Sequence, residues 1–291
     1  MRWQLFPVQA LQTPVLRSTH DGANLRDQIK LLLLALQFFT RVPVVGALAN
    51  WVGYTPEMLR ASARFFPLIG LAIGCAAAFS FWLCTQLWSP WIAAVLTLIF
   101  TALLTGAFHE DGLADYADGI GGSASPARAL EIMKDSRIGS YGALALCLAT
   151  ALKLAALATM AVALAPAALI LAHVIGRVCA CAVLARLSYV RDDASGKSKP
   201  LAESMRAGEL MFVLLTLLGT LALVCLWQPQ ALGHAGAALI LSAICTLGIA
   251  RQMLRRIGGF TGDALGAVEQ VSECAVLLAF ASPFFGQLFV S

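Results

Sequence analysis

ELMFVLLTLLGTLALVCLW, residues 209–227, carries one charge at its first position and none after it. A run of that length matches the roughly 20 apolar residues a helix needs to cross a bilayer. Six further runs of the same kind lie at about 65–88, 90–108, 141–163, 167–187, 233–250 and 273–290. Composition agrees, with 59% hydrophobic and 12% charged residues and a mean hydropathy of +0.80, whereas soluble domains carry about 25% charged residues. Backbone polar groups in hydrocarbon must be satisfied within the segment, so these runs are predicted to be helices. The expected fold is an all-α polytopic integral membrane protein of about seven transmembrane helices. An N-terminal interfacial or re-entrant helix is expected in addition, because residues 29–39 are apolar but too short to span.

The charges orient this bundle. Lys and Arg outside the runs fall before residue 65 or in the connections at about 109–140, 188–208 and 251–272, while the alternate connections have none. The charged side is therefore expected to be cytoplasmic. The net charge of +4 reflects those loops and gives no nucleic-acid surface. Residues 1–28 mix charges with Pro and Thr and lack a signal-type apolar core; they are expected to be a disordered cytosolic tail before a single transmembrane catalytic domain, 29–291. The eight cysteines are scattered through apolar segments and read as reduced, buried thiols. Cys179 and Cys181 would lie on different helix faces, poor geometry for a metal pair.

Against this background FHEDGLADYADGIGG, residues 108–122, stands out, since only 16 acidic residues occur in the whole chain. At about 100° per residue, Asp111, Asp115 and Asp118 fall within an arc of roughly 60° on a helix. Carboxylates that close repel unless a cation neutralises them, and a hard divalent ion bridging to substrate phosphates does so. The alternative is a solvated boundary loop, although such loops favour Lys and Arg. A second acidic group lies in GGFTGDALGAVEQVSE, residues 258–273, with Asp263 in a Gly-rich turn and Glu269 and Glu273 spaced i, i+4. Those two glutamates equally suit the first turn of the last helix, where acids complement the macrodipole. EIMKDSRIGSYGALAL, residues 131–146, sets Lys134 and Arg137 beside a glycine-rich helix start suited to an anion, though cytoplasmic placement alone also explains them. Within the apolar runs, Lys153 and Arg177 are costly at depth and call for a cavity or partner. His173 lies one turn before Arg177; snorkelling is the alternative for the two cations and suits mid-segment Arg177 poorly.

The motifs FFTRVPV (38–44), RFFPLIGLAIG (64–74), FHEDGLADYADG, EIMKDSRIGSYG and GGFTGDALGA, in this order, resemble the cobalamin synthase family, the adenosylcobinamide-GDP ribazoletransferases. The resemblance covers about residue 29 to the C-terminus and fits the loop 189–200 only loosely. It implies a magnesium-dependent membrane enzyme that joins adenosylcobinamide-GDP to α-ribazole or its 5′-phosphate and releases GMP. It also implies a bacterial inner-membrane location with the site on the cytoplasmic side, and a possible homo-oligomer or complex with other B12 assembly enzymes.

On spacing and likeness together, Asp111, Asp115, Asp118 and Asp263 are expected to bind Mg2+, with Asp118 or His109 accepting the hydroxyl proton. Arg41, Glu110, Lys134, Asp135, Ser136, Arg137, Arg177, Thr261 and Glu269 are expected to contact substrate. Two other classes compete. Another magnesium-dependent intramembrane phosphotransferase or prenyltransferase acting on a diphosphate shares the metal logic but not the motif set. A secondary transporter is suggested by Lys153 and Arg177, but transporter sites lie near the midplane and often in repeated halves; here the acids gather on one side without repeats.

Overall fold

A computed structural model describes residues 24–190 and 205–287. The tail before residue 24, most of the loop 189–200 and the end of the last apolar run lie outside the described residues. Within them every regular element is a helix, joined by one isolated parallel bridge, Tyr189 to Phe260.

The chain opens with α1 (Leu25–Phe39), whose first turn is capped by the Asn24 side chain accepting from the Arg26 N–H. Two short helices follow, α2 (Gly46–Val52) and α3 (Pro56–Ser62), and α3 runs through a 3-10 turn into α4 (Phe66–Thr85). Next come α5 (Pro90–Thr105), α6 (Phe108–Gly122), α7 (Pro126–Ile132), α8 (Ser140–Thr159) and α9 (Ala165–Leu184). The remaining elements are α10 (Ala207–Trp227), α11 (Ala231–Ile257), α12 (Gly262–Ala281) and the short α13 (Pro283–Gln287). Six helices among the described residues are long and apolar enough to cross a membrane, and a seventh span is available if the bent pair α5–α6 counts as one. The polytopic all-α expectation is met.

Two runs differ most from their sequence boundaries, and α11 also continues past its run, to Ile257. The run at 90–108 is not a straight span: after Thr105 the chain passes through Gly106 (φ 70°) and Ala107 (φ 54°), both left-handed, and α6 leaves at 89° to α5. Such a reversal favours glycine, and Ala107 holds it at a cost. The last apolar run begins only at about residue 273, yet α12 already starts at Gly262. Its first turns carry acids, so hydropathy alone rejects them; they are helical and buried because other helices supply their partners.

The bundle has a centre. In α9 and α12, 78% of the spanning window is buried inside the protein, against 22% for α8 and α10. Helix α9 packs on α4, α10, α11 and α12, while α12 also packs on α6 and α8. Large apolar side chains on the outer helices, such as Trp82, Leu144, Leu218 and Ile240, are exposed, as lipid-facing residues are. Helix α1 packs against α3 and α4 and sets Phe38 and Phe39 beside Phe66 at the start of α4. All eight cysteines are free; Cys181 and Cys274 are buried, while Cys75 and Cys147 are exposed on outer faces.

Candidate active site

The two acidic segments meet where α6 crosses α12. A Cβ added to Gly112 would stand 3.0 Å from the Asp263 carbonyl oxygen, 3.2 Å from the Asp263 Cα and 3.3 Å from the Gly266 Cα. Glycine at both positions lets the backbones come this close without displacement, and the contact sets Asp263 beside the residue that follows Asp111. Asp111 is exposed and Asp115 and Asp263 are half-buried.

Three further ties fix α6. The Tyr116 hydroxyl meets Gln252 of α11 at 3.0 Å. Arg256, at the end of α11, donates to the Ile120 carbonyl at 2.9 Å and to that of Ser123, satisfying carbonyls at the C-terminal end of α6. Asp118 is buried, and its carboxylate accepts the N–H of Gly139 at 2.7 Å and of Gly142 at 2.8 Å. It therefore caps α8 from a neighbouring helix, where a negative charge also suits the macrodipole. The three aspartates share one helix, as expected, but divide by surroundings: Asp111 is open, Asp115 intermediate and Asp118 tied to α8.

Behind α6 lies an ionic lattice that the sequence left ambiguous. Glu269 and Glu273 are not in the first turn of α12 but deep within it, 1% and 4% exposed. Each carboxylate holds one close cation and one imidazole, and Arg177 also lies 4.0 Å from Glu273. Glu269 meets Arg177 at 2.5 Å and His109 Nδ1 at 3.1 Å. Glu273 meets Lys153 in a short contact and His173 Nδ1 at 2.6 Å. Gln270 connects the two halves by accepting from Lys153 Nζ at 2.8 Å and donating to Glu110 at 3.3 Å. An unpaired charge at this depth is costly, so matched partners are required. Lys153, His173, Gln270 and Glu273 were not among the expected site residues. The signal was present: His173 and Arg177 at i, i+4 on one apolar helix are complementary to Glu269 and Glu273 at i, i+4 on another.

Three of the quoted motifs reach this lattice, through Phe39, Gly70 and His109. Phe39 stacks on His109, with ring centroids 5.4 Å apart, and lies 5.5 Å beneath the Arg177 guanidinium; Phe38 packs edge-on against Phe108. Arg41 is exposed; its N–H donates to Leu104 at 2.8 Å and its guanidinium lies against Gly106, at the α5–α6 break. Lys134 and Ser136 are exposed in the turn after α7. Arg137 forks onto Asp135, with its Nη2 2.6 Å from a carboxylate oxygen, and these hydrogen bonds hold the Asp135 carboxyl at about 2. Thr261 is buried and caps α12 by accepting from the Ala264 N–H at 3.1 Å.

Among the described residues, His173, Glu269 and Glu273 form the one group of three whose donor atoms all lie within 4.8 Å of one another. Those carboxylates already face Arg177 and Lys153, which opposes a further cation. The expected metal ligands Asp111, Asp115 and Asp263 do not form such a group: their carboxylate oxygens do not all lie within 4.8 Å of one another.

The cobalamin-5-phosphate synthase family matches residues 31–281. The chain belongs to this family. It is 46% identical over 273 residues to an adenosylcobinamide-GDP ribazoletransferase of Polaromonas naphthalenivorans, covering 87% of this chain and 98% of the relative. Relatives of the same name from Shewanella amazonensis (44% identical; 88% and 96% covered) and Vibrio cholerae serotype O1 (43%; 89% and 97%) match as fully. No solved structure matches the chain.

Proposed function

We propose that this chain is an adenosylcobinamide-GDP ribazoletransferase, joining adenosylcobinamide-GDP to α-ribazole or its 5′-phosphate in a late step of cobalamin biosynthesis. The observation that carries this reading is the family match across residues 31–281, shared with full-length relatives bearing that activity in their names. A ribose hydroxyl oxygen attacks the phosphorus on the cobinamide side of the diphosphate. The bond from that phosphorus to the GMP oxygen breaks, and the hydroxyl proton passes to a base.

Asp111, Asp115 and Asp263 would hold magnesium, which would neutralise the diphosphate and the leaving phosphate. Their support is the α6–α12 crossing at Gly112 and Gly266. Of the two candidate bases, the hydrogen bonding favours His109. Its Nδ1 faces Glu269 and its Nε2 makes no hydrogen bond, whereas both Asp118 oxygens hold the start of α8. Arg41, Lys134 and Arg137 are exposed cations at the ends of α6 and in the neighbouring turn, suited to phosphate oxygens. The site would open to the cytoplasm of a bacterial inner membrane, since the cationic connections gather on its side.

The test uses purified protein in lipid vesicles. GMP release should require both magnesium and α-ribazole, and Asp111→Asn should lower it by about 10²-fold or more, as removal of one charge-stabilising group does. Wild-type GMP release by Asp111→Asn would sink the metal assignment. Ligand accumulation without bond cleavage would favour a transporter.

A further inference from the structure

A cavity of about 240 Å³ lies behind α6, between α5, α8, α9 and α12, and most of its lining side chains are polar or charged. At about 30 Å³ per molecule it has room for roughly eight waters, or for an ion and its hydration. One wall is a row of threonines on α5, Thr97, Thr101 and Thr105, which are spaced i, i+4, i+8 and so share a helix face. All three are buried. Thr101 and Thr105 donate their hydroxyl protons back to the Leu98 and Thr101 carbonyls, at 3.0 and 2.9 Å, which leaves their oxygen lone pairs for the cavity. The Thr97 hydroxyl, the His109 Nε2 and the Glu110 Oε2 have no hydrogen-bond partner. Buried polar atoms are nearly always satisfied, so unpaired ones around one void call for an occupant.

Charge selects the occupant. Around the cavity and its lattice stand three carboxylates, Glu110, Glu269 and Glu273, and two cations, Lys153 and Arg177. Glu269 and Glu273 each have a close cation, and the two imidazoles turn Nδ1 toward them. Glu110 pairs with no cation among the described residues; its Oε1 accepts from Gln270 at 3.3 Å and its Oε2 is open. With neutral imidazoles the group is one positive charge short, and a low-dielectric interior does not leave a carboxylate charge unmatched. An anion would enlarge the deficit, and a divalent ion would leave an excess beside Lys153 and Arg177. The C-terminal end of α5 adds partial negative charge, because the helix breaks off at Thr105, and Ala102 and Thr105 of its last turn line the cavity. In transporters, broken membrane helices present such ends to sodium or protons.

We propose that this cavity binds one monovalent alkali cation, sodium or potassium, at the Glu110 carboxylate, with threonine hydroxyls of α5 and water completing its oxygen shell. Bound there, the ion neutralises the residue immediately before Asp111, while the remaining waters meet the Thr97 hydroxyl. The assignment does not depend on which reaction the chain catalyses, and its test uses no substrate.

Thermal unfolding of the full chain in detergent, at fixed pH and saturating magnesium, tests it. Sodium chloride, potassium chloride and choline chloride are compared at equal ionic strength. At about a hundredfold above its Kd the bound ion should raise the Tm by about 5 °C or more over choline, which is too large to enter. The salt that gives the larger shift identifies the ion. Glu110→Gln keeps the shape without the charge: its Tm should be the same in all three salts, and in choline no lower than that of the wild type. Thr105→Val should weaken binding of the ion about tenfold, as the loss of one polar partner does. A single Tm for the wild type in all three salts overturns the proposal, because a proton then supplies the missing charge. A shift that persists unchanged in Glu110→Gln also overturns it, since the ion then binds elsewhere. Should a variant fail to fold, the wild-type comparison still decides.

Discussion

Asp111 and Glu273 carry the same functional group in opposite surroundings. Asp111 stands exposed on α6, whereas Glu273 is 4% exposed inside the bundle, between Lys153 and His173. A carboxylate in water tolerates the absence of a protein partner and can recruit an ion from outside; one in a low-dielectric interior must bring its counter-charge with it. The two acidic regions therefore do different work. Under the proposed function the open one would take up cation and phosphate, while the closed one holds α6, α8, α9 and α12 in a fixed relation and lines a cavity.

The contrast can be broken by removing one half of a buried pair. Glu273→Ala leaves Lys153 without its counter-charge and should cost about 3–5 kcal/mol in thermal unfolding in detergent, most of it regained when Lys153→Met is added. A neutral Glu273→Ala would mean that the lattice is not what fixes these helices. The crossing that joins the two regions is sharpened by Gly112→Val. Its new side chain meets the Asp263 backbone, so it should destabilise by about 1–3 kcal/mol and lower GMP release, whereas Gly248→Ala, with open space around it, should do neither. Asp118→Ala removes a cap shared by two N–H groups and should cost about 0.5–2 kcal/mol, with faster amide exchange at Gly139 and Gly142. The smallest effect belongs to Arg137→Ala, which should leave the melting temperature at neutral pH unchanged within error, because both partners are exposed. Its hydrogen bonds lower the Asp135 carboxyl to about 2, so any contribution is present above the ordinary carboxylate range and fades as the pH falls toward 2. The variant and the wild type should converge in acid.

Much of the fold was legible because hydropathy is a one-dimensional signal: six helices and the bent pair occupy the runs that the sequence marks. What the runs hid was the α5–α6 break, since Thr105 to Phe108 interrupts neither the apolar pattern nor the helical one. The start of α12 was hidden for the opposite reason. Glu269 and Glu273 look like a boundary until Lys153, His173 and Arg177, distant in sequence, are brought to them. At the site, the sequence marked α6 as one helix with an acidic face, and Gly112 let Asp263 approach it. That Asp118 would spend both oxygens on α8 depended on the packing of two helices, which spacing within α6 alone does not encode.

The bend after α5 fixes the direction in which the acidic face of α6 is presented. At about 1.5 Å per residue, the 16 residues of α5 reach about 24 Å, short of the roughly 30 Å of hydrocarbon in a typical bilayer. The chain instead turns through 89° into α6, so the pair forms a broken span or a re-entrant loop rather than one straight crossing helix. In the proposed reaction the diphosphate-bearing reactant would meet its carboxylates on a helix held by that bend, and not on a free loop.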